Sequence, residues 1–111
     1  MDCLFCKIID KKIPAKIEYE DGEVLAFHDI HPQAPKHVLF IPKNHISQVS
    51  ELTDSDCGVA GALLTKAKKI ADCLGVKDYR LVFNNGPEAG QTVFHIHMHL
   101  LAGRKLSWPP G

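Results

Sequence analysis

The sequence has no long apolar run, no excess of charge of either sign and few aromatic side chains. No apolar run approaches the roughly 18 residues of a membrane-spanning helix, so we expect no membrane association. The 13 lysine and arginine residues are balanced by 13 aspartate and glutamate residues, and the absence of a basic stripe argues against a nucleic-acid partner. The first residues lack the basic and apolar segments of a signal peptide, so we expect a cytoplasmic protein with reduced cysteines.

Length and composition indicate one globular domain. The 111 residues suffice for a single domain, 1–111, but not for two. Hydrophobic residues make up 45% and charged residues 23%, ordinary values that exclude a disordered or collagen-like chain. Against one tryptophan and two tyrosines, seven histidines stand out. Histidine is the side chain best suited to acid–base, nucleophilic and metal chemistry near neutral pH.

Local patterns predict the element order helix–β–β–β–α–β–β. A short helix is expected within residues 3–12, and Asp21-Gly22 predicts a hairpin turn between strands at 16–19 and 24–29. An apolar run predicts a buried strand at 37–41, and a loop rich in turn formers separates two further strands at 79–84 and 92–101. Antiparallel connections are favoured, so the predicted fold class is α+β.

The long helix is predicted between Thr53 and Gly75. Thr53 is suited to the N-cap position, and Gly75 to the position just after the last turn. Apolar residues at helical spacing predict the face that covers the sheet: Ala60, Leu63, Leu64, Ala67, Ala71 and Leu74.

Three histidines alternate with apolar residues in segment 92–101. In a strand, the period of two places His95, His97 and His99 on one face. The opposite face would then carry Phe94, Ile96, Met98 and Leu100. The apolar face fills a core, whereas the imidazole face requires another explanation.

These histidines could simply be half-exposed residues of an outer face without a role. Two chemical interpretations are the alternatives. They could bind a catalytic metal that keeps an open position for water, or His97 could act as a nucleophile. Along an extended strand at about 3.3 Å per residue, His95 and His99 are roughly 13 Å apart, a poor fit to ligands about 2 Å from one metal. This geometry favours the nucleophile.

The segment before the histidines predicts an anion site. Gly90, Gln91 and Thr92 offer a flexible backbone, an amide and a hydroxyl as hydrogen-bond donors. Asn84, at the end of the preceding predicted strand, is expected near the same point.

Segment 90–101, with its pattern His-x-His-x-His followed by two apolar residues, resembles the signature of the histidine-triad superfamily. The similarity extends through segments 26–30, 32–35 and 41–43, through His37, and to the ending Trp108-Pro109-Pro110-Gly111. It covers nearly the whole chain. The ending resembles that of the histidine-triad nucleotide-binding proteins, the purine nucleoside phosphoramidase branch.

The resemblance implies two-step covalent catalysis that requires no cofactor. His97 would attack the α-phosphorus of a nucleoside 5′-phosphoramidate, and water would hydrolyse the nucleotidyl-histidine intermediate. His99 would contact the phosphate and the leaving group, while His37 and His95 orient the triad. The resemblance also assigns Asn84 and Thr92 to the phosphate or leaving group, and most members with this ending have serine at the position of Thr92.

The resemblance further implies a purine nucleotide partner, a nucleoside wall and a homodimer. The wall would consist of Leu4, Phe5, Phe27, His28, Asp29 and Ile30, with Asp29 accepting the ribose hydroxyls. The histidine-triad fold implies a five-stranded antiparallel sheet with one long helix and a short N-terminal helix, dimerising into a ten-stranded sheet. Trp108 would reach the partner's active site. No role is assigned to His31.

Cys3 and Cys6 form a Cys-x-x-Cys pair, a spacing that suits two zinc ligands or a redox pair. Some bacterial histidine-triad proteins bind a structural zinc through such a pair and two histidines, and the matching positions here are His45 and His95. A pair without metal on the N-terminal helix is the alternative. Cys57 and Cys73 lie on the long helix and receive no role.

Two other functions stay open at this point. One is hydrolysis of dinucleoside polyphosphates or nucleotidyl transfer by another branch of the superfamily, against which the short length and the Trp-Pro-Pro-Gly ending argue. The other is a nucleotide-binding interaction module with incidental catalysis.

Overall fold

A computed structural model describes residues 2–111 and contains a five-stranded antiparallel sheet and two helices. The strands are β1 (Ile17–Glu20), β2 (Val24–His28), β3 (Lys36–Pro42), β4 (Tyr79–Phe83) and β5 (Met98–Ala102), and the helices are α1 (Leu4–Ile9) and α2 (Cys57–Leu74). The strand order is β1-β2-β3-β5-β4. The predicted α+β class and element order are confirmed. Within residues 2–111, no helix has the length and apolar character needed to cross a membrane.

The alternation of side chains along β2 and β3 gives the sheet two apolar faces. Val24 and Val38 lie on the face that α2 covers, in the larger core cluster. Leu25 and Leu39 lie on the opposite face, in a second cluster with Phe5 of α1. Both central strands are therefore buried on both sides, which explains their nearly continuous apolar sequence.

Helix α2 begins later than predicted and ends as predicted. Thr53 caps a short 3-10 turn over Asp54–Asp56, in which its backbone N–H donates to the Asp56 carboxylate, and the α-helix follows. Gly75 has a φ of 72°, the left-handed conformation that glycine adopts readily at a helix end. The placement of Leu64 in the core was wrong, because its side chain is 50% exposed while Ile70 is buried.

The predicted strand over 92–101 was too long, because β5 begins only at Met98. Met98 pairs with Phe40 on β3 and with Phe83 on β4, and these are the last pairs on either side. In the same register Ile41 would next face His97, and Pro42, which has no backbone N–H to donate, would then face Ile96. The Ile96 N–H instead donates to the carbonyl oxygen of Ile46 at 2.6 Å.

The predicted alternation of faces nevertheless extends one step beyond the ladder. Met98 and Leu100 belong to the core beneath α2, and Ile96 lines an apolar cavity on the same side. Phe94 departs from the prediction: it is 45% exposed and lies beside Leu4 of α1 on the other side.

Candidate active site

Adjacent strands bring three of the predicted catalytic histidines together on the α1 face of the sheet. His37 on β3 and His99 on β5 have ring centroids 5.1 Å apart, and the His97 ring lies 5.0 Å from that of His99. His95 does not join them, since its ring nitrogens face Pro42, His45 and the two cysteines at the start of the chain, Cys3 and Cys6. The three triad histidines therefore do not converge on one metal position.

The tautomer of His97 follows from one hydrogen bond. Its Nδ1 lies 2.8 Å from the carbonyl oxygen of His95, and a carbonyl only accepts, so Nδ1 carries the proton. The Nε2 atom consequently keeps its lone pair. Burial lowers the pKa of His97, although the backbone contact and Asp29 oppose this, which favours the neutral ring that a nucleophile requires.

A chain of hydrogen bonds determines the tautomers of His37 and His99. The Gln33 backbone N–H donates to Nδ1 of His37 at 3.0 Å, so the His37 proton is on Nε2. That Nε2–H points at Nδ1 of His99, 2.9 Å away, which places the His99 proton on Nε2. Among residues 2–111, this buried Nε2–H of His99 has no hydrogen-bond partner. A buried donor without a partner is unfavourable unless a ligand accepts its hydrogen bond.

Burial keeps the rings of this cluster neutral. It lowers the pKa of His99 to about 4, and the neighbouring His97 and His37 rings act in the same direction. Burial also lowers the pKa of His37, against the opposing charge of Asp29, whose carboxylate is 3.5 Å from Nε2. Asp29, His37 and His99 lie close enough to suggest a metal site, but the hydrogen bond between His37 and His99 already accounts for the approach of those two rings.

A cavity of about 280 Å³ opens beside His97 and His99. It is lined by every residue predicted for the nucleoside wall, together with Thr92: Leu4, Phe5, Phe27, His28, Asp29 and Ile30. A wider cavity of about 730 Å³ near the end of α2 contains none of the histidines, so size alone does not identify the site.

Phe5 links this cavity to the catalytic histidines. Its ring is only 4% exposed and stands edge-on to the rings of Phe27, at 5.4 Å, and His97, at 5.1 Å. Helix α1 therefore supplies one wall of the cavity and also holds the His97 ring in place.

The predicted anion donors divide into two groups. Thr92 lines the cavity beside His97, and Gly90, with a φ of 103°, lies against the Asn84 side chain. Gln91 is different: its buried amide accepts from the Gly86 N–H and donates to the carbonyls of Ser47 and Val93. The expectation that the Gln91 side chain donates to an anion was wrong, because both of its donors are used within the protein.

Three other residues named from the sequence lie near the surface. The Trp108 side chain is 81% exposed. His28 bonds Glu18 at 3.0 Å, between Nε2 and Oε1. The His31 backbone N–H donates to the carboxylate of Asp29, and its exposed side chain borders the nucleoside cavity.

Cys3, Cys6, His45 and His95 form a second cluster, separate from the catalytic histidines. Their four ligand atoms lie within 4.8 Å of one another. Nδ1 of His95 is 3.5 Å from Sγ of Cys3, 3.6 Å from Sγ of Cys6 and 3.1 Å from Nδ1 of His45. Sγ of Cys6 is 3.5 Å from Nδ1 of His45.

These distances fit a tetrahedral zinc ion. With Zn–S bonds of about 2.3 Å and Zn–N bonds of about 2.0–2.1 Å, the sulfur–nitrogen edges of a tetrahedron are about 3.5 Å and the nitrogen–nitrogen edge about 3.3 Å. The Nε2–H of His95 donates to the Pro42 carbonyl at 2.8 Å, so the lone pair of Nδ1 faces the cluster. The donor set, its spacing and the outer hydrogen bond all suit zinc.

Sequence reasoning missed the backbone groups that set these tautomers and the basic residues near His99. The N–H of Gln33 and the carbonyl oxygens of Pro42 and His95 are present at every such position in a chain and have no side-chain signature. Arg80 and Arg104 line a further cavity beside His99. Arg80 lies close to His99 only because β4 pairs with β5.

Comparison with known proteins agrees with this geometry. A model of the HIT domain matches residues 10–106. A HIT-like protein of Synechocystis sp. is 57% identical over 99% of this chain and 97% of its own length. A HIT family hydrolase of Legionella pneumophila superposes with a TM-score of 0.97 at 50% identity, covering 99% of this chain and all of that one. A HIT family hydrolase of Clostridium thermocellum superposes with a TM-score of 0.93 at 48% sequence identity, covering 96% of this chain and 94% of that one. The chain belongs to the HIT domain family.

Proposed function

We propose that this protein hydrolyses the P–N bond of purine nucleoside 5′-phosphoramidates, such as adenosine 5′-monophosphoramidate. The observation that carries the proposal is the pairing of a lone pair on His97 Nε2 with an unpartnered N–H on His99 Nε2 at one cavity. Two similar structures are those of proteins called hydrolases, which supports hydrolysis as the reaction type.

In the first step, Nε2 of His97 attacks the α-phosphorus and the P–N bond breaks. The amine leaves with a proton from solvent, and the nucleotidyl group is bonded to Nε2. The attacking ring becomes positively charged, and the carbonyl oxygen of His95 stabilises this charge through the Nδ1–H bond. The Nε2–H of His99 donates to a phosphoryl oxygen, where negative charge increases.

In the second step, water attacks the phosphorus of the intermediate and displaces the imidazole. The products are a nucleoside monophosphate, the neutral His97 ring and a proton, which balances the proton taken up by the amine. Asn84 and Thr92 hold atoms of the phosphate or of the leaving group. The methyl group of Thr92 narrows the space at this point relative to serine.

The nucleoside would bind in the cavity of about 280 Å³. The apolar wall of Leu4, Phe5, Phe27 and Ile30 suits a purine base, and Asp29 accepts the ribose hydroxyls. His28, held by Glu18, closes the edge of this wall. With the nucleoside in this cavity, its 5′-phosphate would reach His97 and His99, which line the same cavity.

We also propose that Cys3, Cys6, His45 and His95 hold a structural zinc ion. Zinc would supply no step of the reaction; it would cross-link α1 to the segments that precede α2 and β5. His95 would then be held from one side by the metal and from the other by the Pro42 carbonyl. Its own backbone carbonyl orients His97, so the zinc would stabilise the nucleophile's position.

A homodimer is proposed on the basis of the free edge of β4. In the described chain, β4 pairs only with β5. Phe83 on this strand is 37% exposed, and Leu64 of α2, which lines the same apolar cavity as Phe83, is 50% exposed. Joining two β4 strands would produce a ten-stranded sheet and cover these side chains. Trp108 would dock near the partner's site. Light scattering tests this directly: a mass of about 12 kDa at micromolar concentration would exclude the dimer.

The test of the reaction uses His97→Asn, which keeps an N–H donor for the His95 carbonyl but lacks the nucleophilic nitrogen. Turnover of adenosine 5′-monophosphoramidate should fall at least about 1,000-fold, while the dissociation constant of AMP changes by no more than a few-fold. Rapid denaturing mass spectrometry of the wild type should detect one adenylyl group per chain. Activity retained in the variant would overturn the mechanism.

A comparison of substrates separates the branches of the superfamily. We expect kcat/KM for the phosphoramidate to exceed that for a dinucleoside polyphosphate. The reverse order would support the polyphosphate hydrolase, and release of a nucleotide joined to an added acceptor would support the transferase. Tight AMP binding without turnover of either substrate would indicate a binding module.

A further inference from the structure

A second compartment of about 300 Å³ lies next to His99, and His99 is the one residue that lines both it and the nucleoside cavity. Its other polar lining comprises Gln33, His37, Arg80, Asn84 and Arg104. The two cavities therefore meet at the residue whose unpartnered Nε2–H marks the phosphate position.

This compartment is positively charged. Its lining contains the guanidinium groups of Arg80 and Arg104 and no carboxylate. Among residues 2–111, neither guanidinium forms an ion pair with an acidic side chain. Two cations in a concave surface without a counter-ion attract an anionic ligand group.

The two guanidinium groups are held in place but retain free donors. Arg80 Nη2 donates to the carbonyl oxygen of Ser107 at 2.8 Å, and Arg104 Nε donates to that of Gln33 at 3.0 Å. Arg104 also donates through Nη1 to the carbonyl of Lys105. A guanidinium has five N–H donors, so each group can still bind a carboxylate.

We propose that this compartment binds the leaving group, and that the preferred leaving groups are amines that carry a carboxylate, as N-linked amino acids do. This inference rests on the proposed function. In an in-line displacement, the amine departs from the phosphorus on the side opposite His97 Nε2. With the nucleoside in the first cavity and the phosphate at His97 and His99, the compartment beyond His99 receives the amine.

The test compares two adenosine 5′-phosphoramidates, one of β-alanine and one of β-alaninamide. The leaving group ends in a negatively charged carboxylate in the first compound and in a neutral amide in the second. Charge-assisted hydrogen bonds of the usual strength correspond to a preference of about 10-fold to 100-fold in kcat/KM for the carboxylate. Because the two amines differ in basicity, the decisive quantity is the change in this ratio on substitution.

Arg80→Gln and Arg104→Gln should each lower the ratio about 10-fold, and Arg104→Lys should restore part of it. Lys105→Gln is the matched control, since Lys105 borders the wider cavity but not this compartment. We expect it to leave the ratio unchanged. An equal loss for both substrates would overturn the proposal, because it would assign the guanidinium groups to the phosphate or to the fold.

Binding to the His97→Asn variant separates this inference from the proposed reaction. The β-alanine compound should bind about 10-fold more tightly than the amide, and Arg80→Gln in that background should remove the difference. If the wild type hydrolyses neither compound but shows this difference, the reaction fails and the subsite stands. Equal dissociation constants for the two compounds would overturn the subsite whatever the activity.

Discussion

His37 Nε2 lies 2.9 Å from Nδ1 of His99, and this one contact determines which nitrogen of His99 carries a proton. Replacing His37 by leucine leaves Nδ1 of His99 without a donor, so its ring can adopt the wrong tautomer. We expect kcat to fall about 10-fold to 100-fold while the dissociation constant of AMP changes little. Steady-state kinetics and calorimetry measure the two effects.

His37→Gln is the matched variant for this relationship. A glutamine amide also has an N–H group to offer His99 Nδ1, so its loss of kcat should be smaller than that of His37→Leu. Equal losses in the two variants, with equal loss of unfolding free energy, would assign His37 a packing role only.

The pH dependence of hydrolysis should reflect the buried environment of His99. An ordinary histidine would place the acid limb near pH 6.5. Burial lowers the pKa of His99 to about 4, so Nδ1 stays an acceptor for the His37 Nε2–H well below that pH. Protonation of His99 Nδ1 would place its N–H directly opposite the Nε2–H of His37, and two donors cannot form a hydrogen bond. Burial also lowers the pKa of His97, the nucleophile, so we expect the acid limb of kcat/KM to lie below pH 6.5.

An acid limb centred at or above pH 6.5 would contradict this assignment of the tautomers. The AMP dissociation constant and the circular dichroism spectrum, recorded over the same range, control for loss of binding and for unfolding. A decrease in rate that coincides with loss of the spectrum would report unfolding and not the state of His99.

Gln91 should contribute to stability and not to anion binding. Its amide is 3% exposed and satisfies the Gly86 N–H and the carbonyls of Ser47 and Val93. Gln91→Ala leaves these groups unpaired and should lower the free energy of unfolding by about 2–4 kcal/mol. Gln48→Ala is the control, because its amide makes one exposed bond to Ser50 and should cost less than about 0.5 kcal/mol. A raised KM for Gln91→Ala without loss of stability would restore the anion-binding interpretation.

The order of elements and the faces of the strands could be predicted because both depend on neighbouring residues. The alternation in segment 92–101 correctly separated His99 from Met98 and Leu100. Where β5 begins could not be predicted in this way. Pro42, a residue of another strand, would face Ile96 in the continued register and has no N–H to donate there.

The different environment of His95 was not predictable from its spacing to the other histidines. It is set by contacts with Cys3 and Cys6, which are 92 and 89 residues away in the chain. The family resemblance, and not the periodicity of the sequence, indicated that Cys3, Cys6, His45 and His95 form one cluster. Likewise, the backbone N–H of Gln33 acts on His37 only because the turn before β3 brings them together.

The zinc proposal predicts a metal content that depends on the thiols of the cluster, Cys3 and Cys6, and not on the thiols of α2. Purified protein should contain about one zinc ion per chain, as measured by elemental mass spectrometry. Cys6→Ser should remove most of it, because a hydroxyl is a much poorer zinc ligand than a thiolate. Cys73→Ser is the matched control: Cys73 is an exposed thiol on α2, outside the cluster, and its loss should leave the metal content unchanged.

Removal of zinc should also loosen the nucleoside wall, since Cys3 caps α1 and both Cys6 and Phe5 lie on this helix. We expect a chelator to lower the melting temperature of the wild type and to weaken AMP binding, and to have little effect on Cys6→Ser, which has already lost the metal. The comparison isolates the metal from other effects of the chelator. Stoichiometric zinc in Cys6→Ser, or a wild type without zinc that keeps its melting temperature in chelator, would exclude a structural zinc at this cluster.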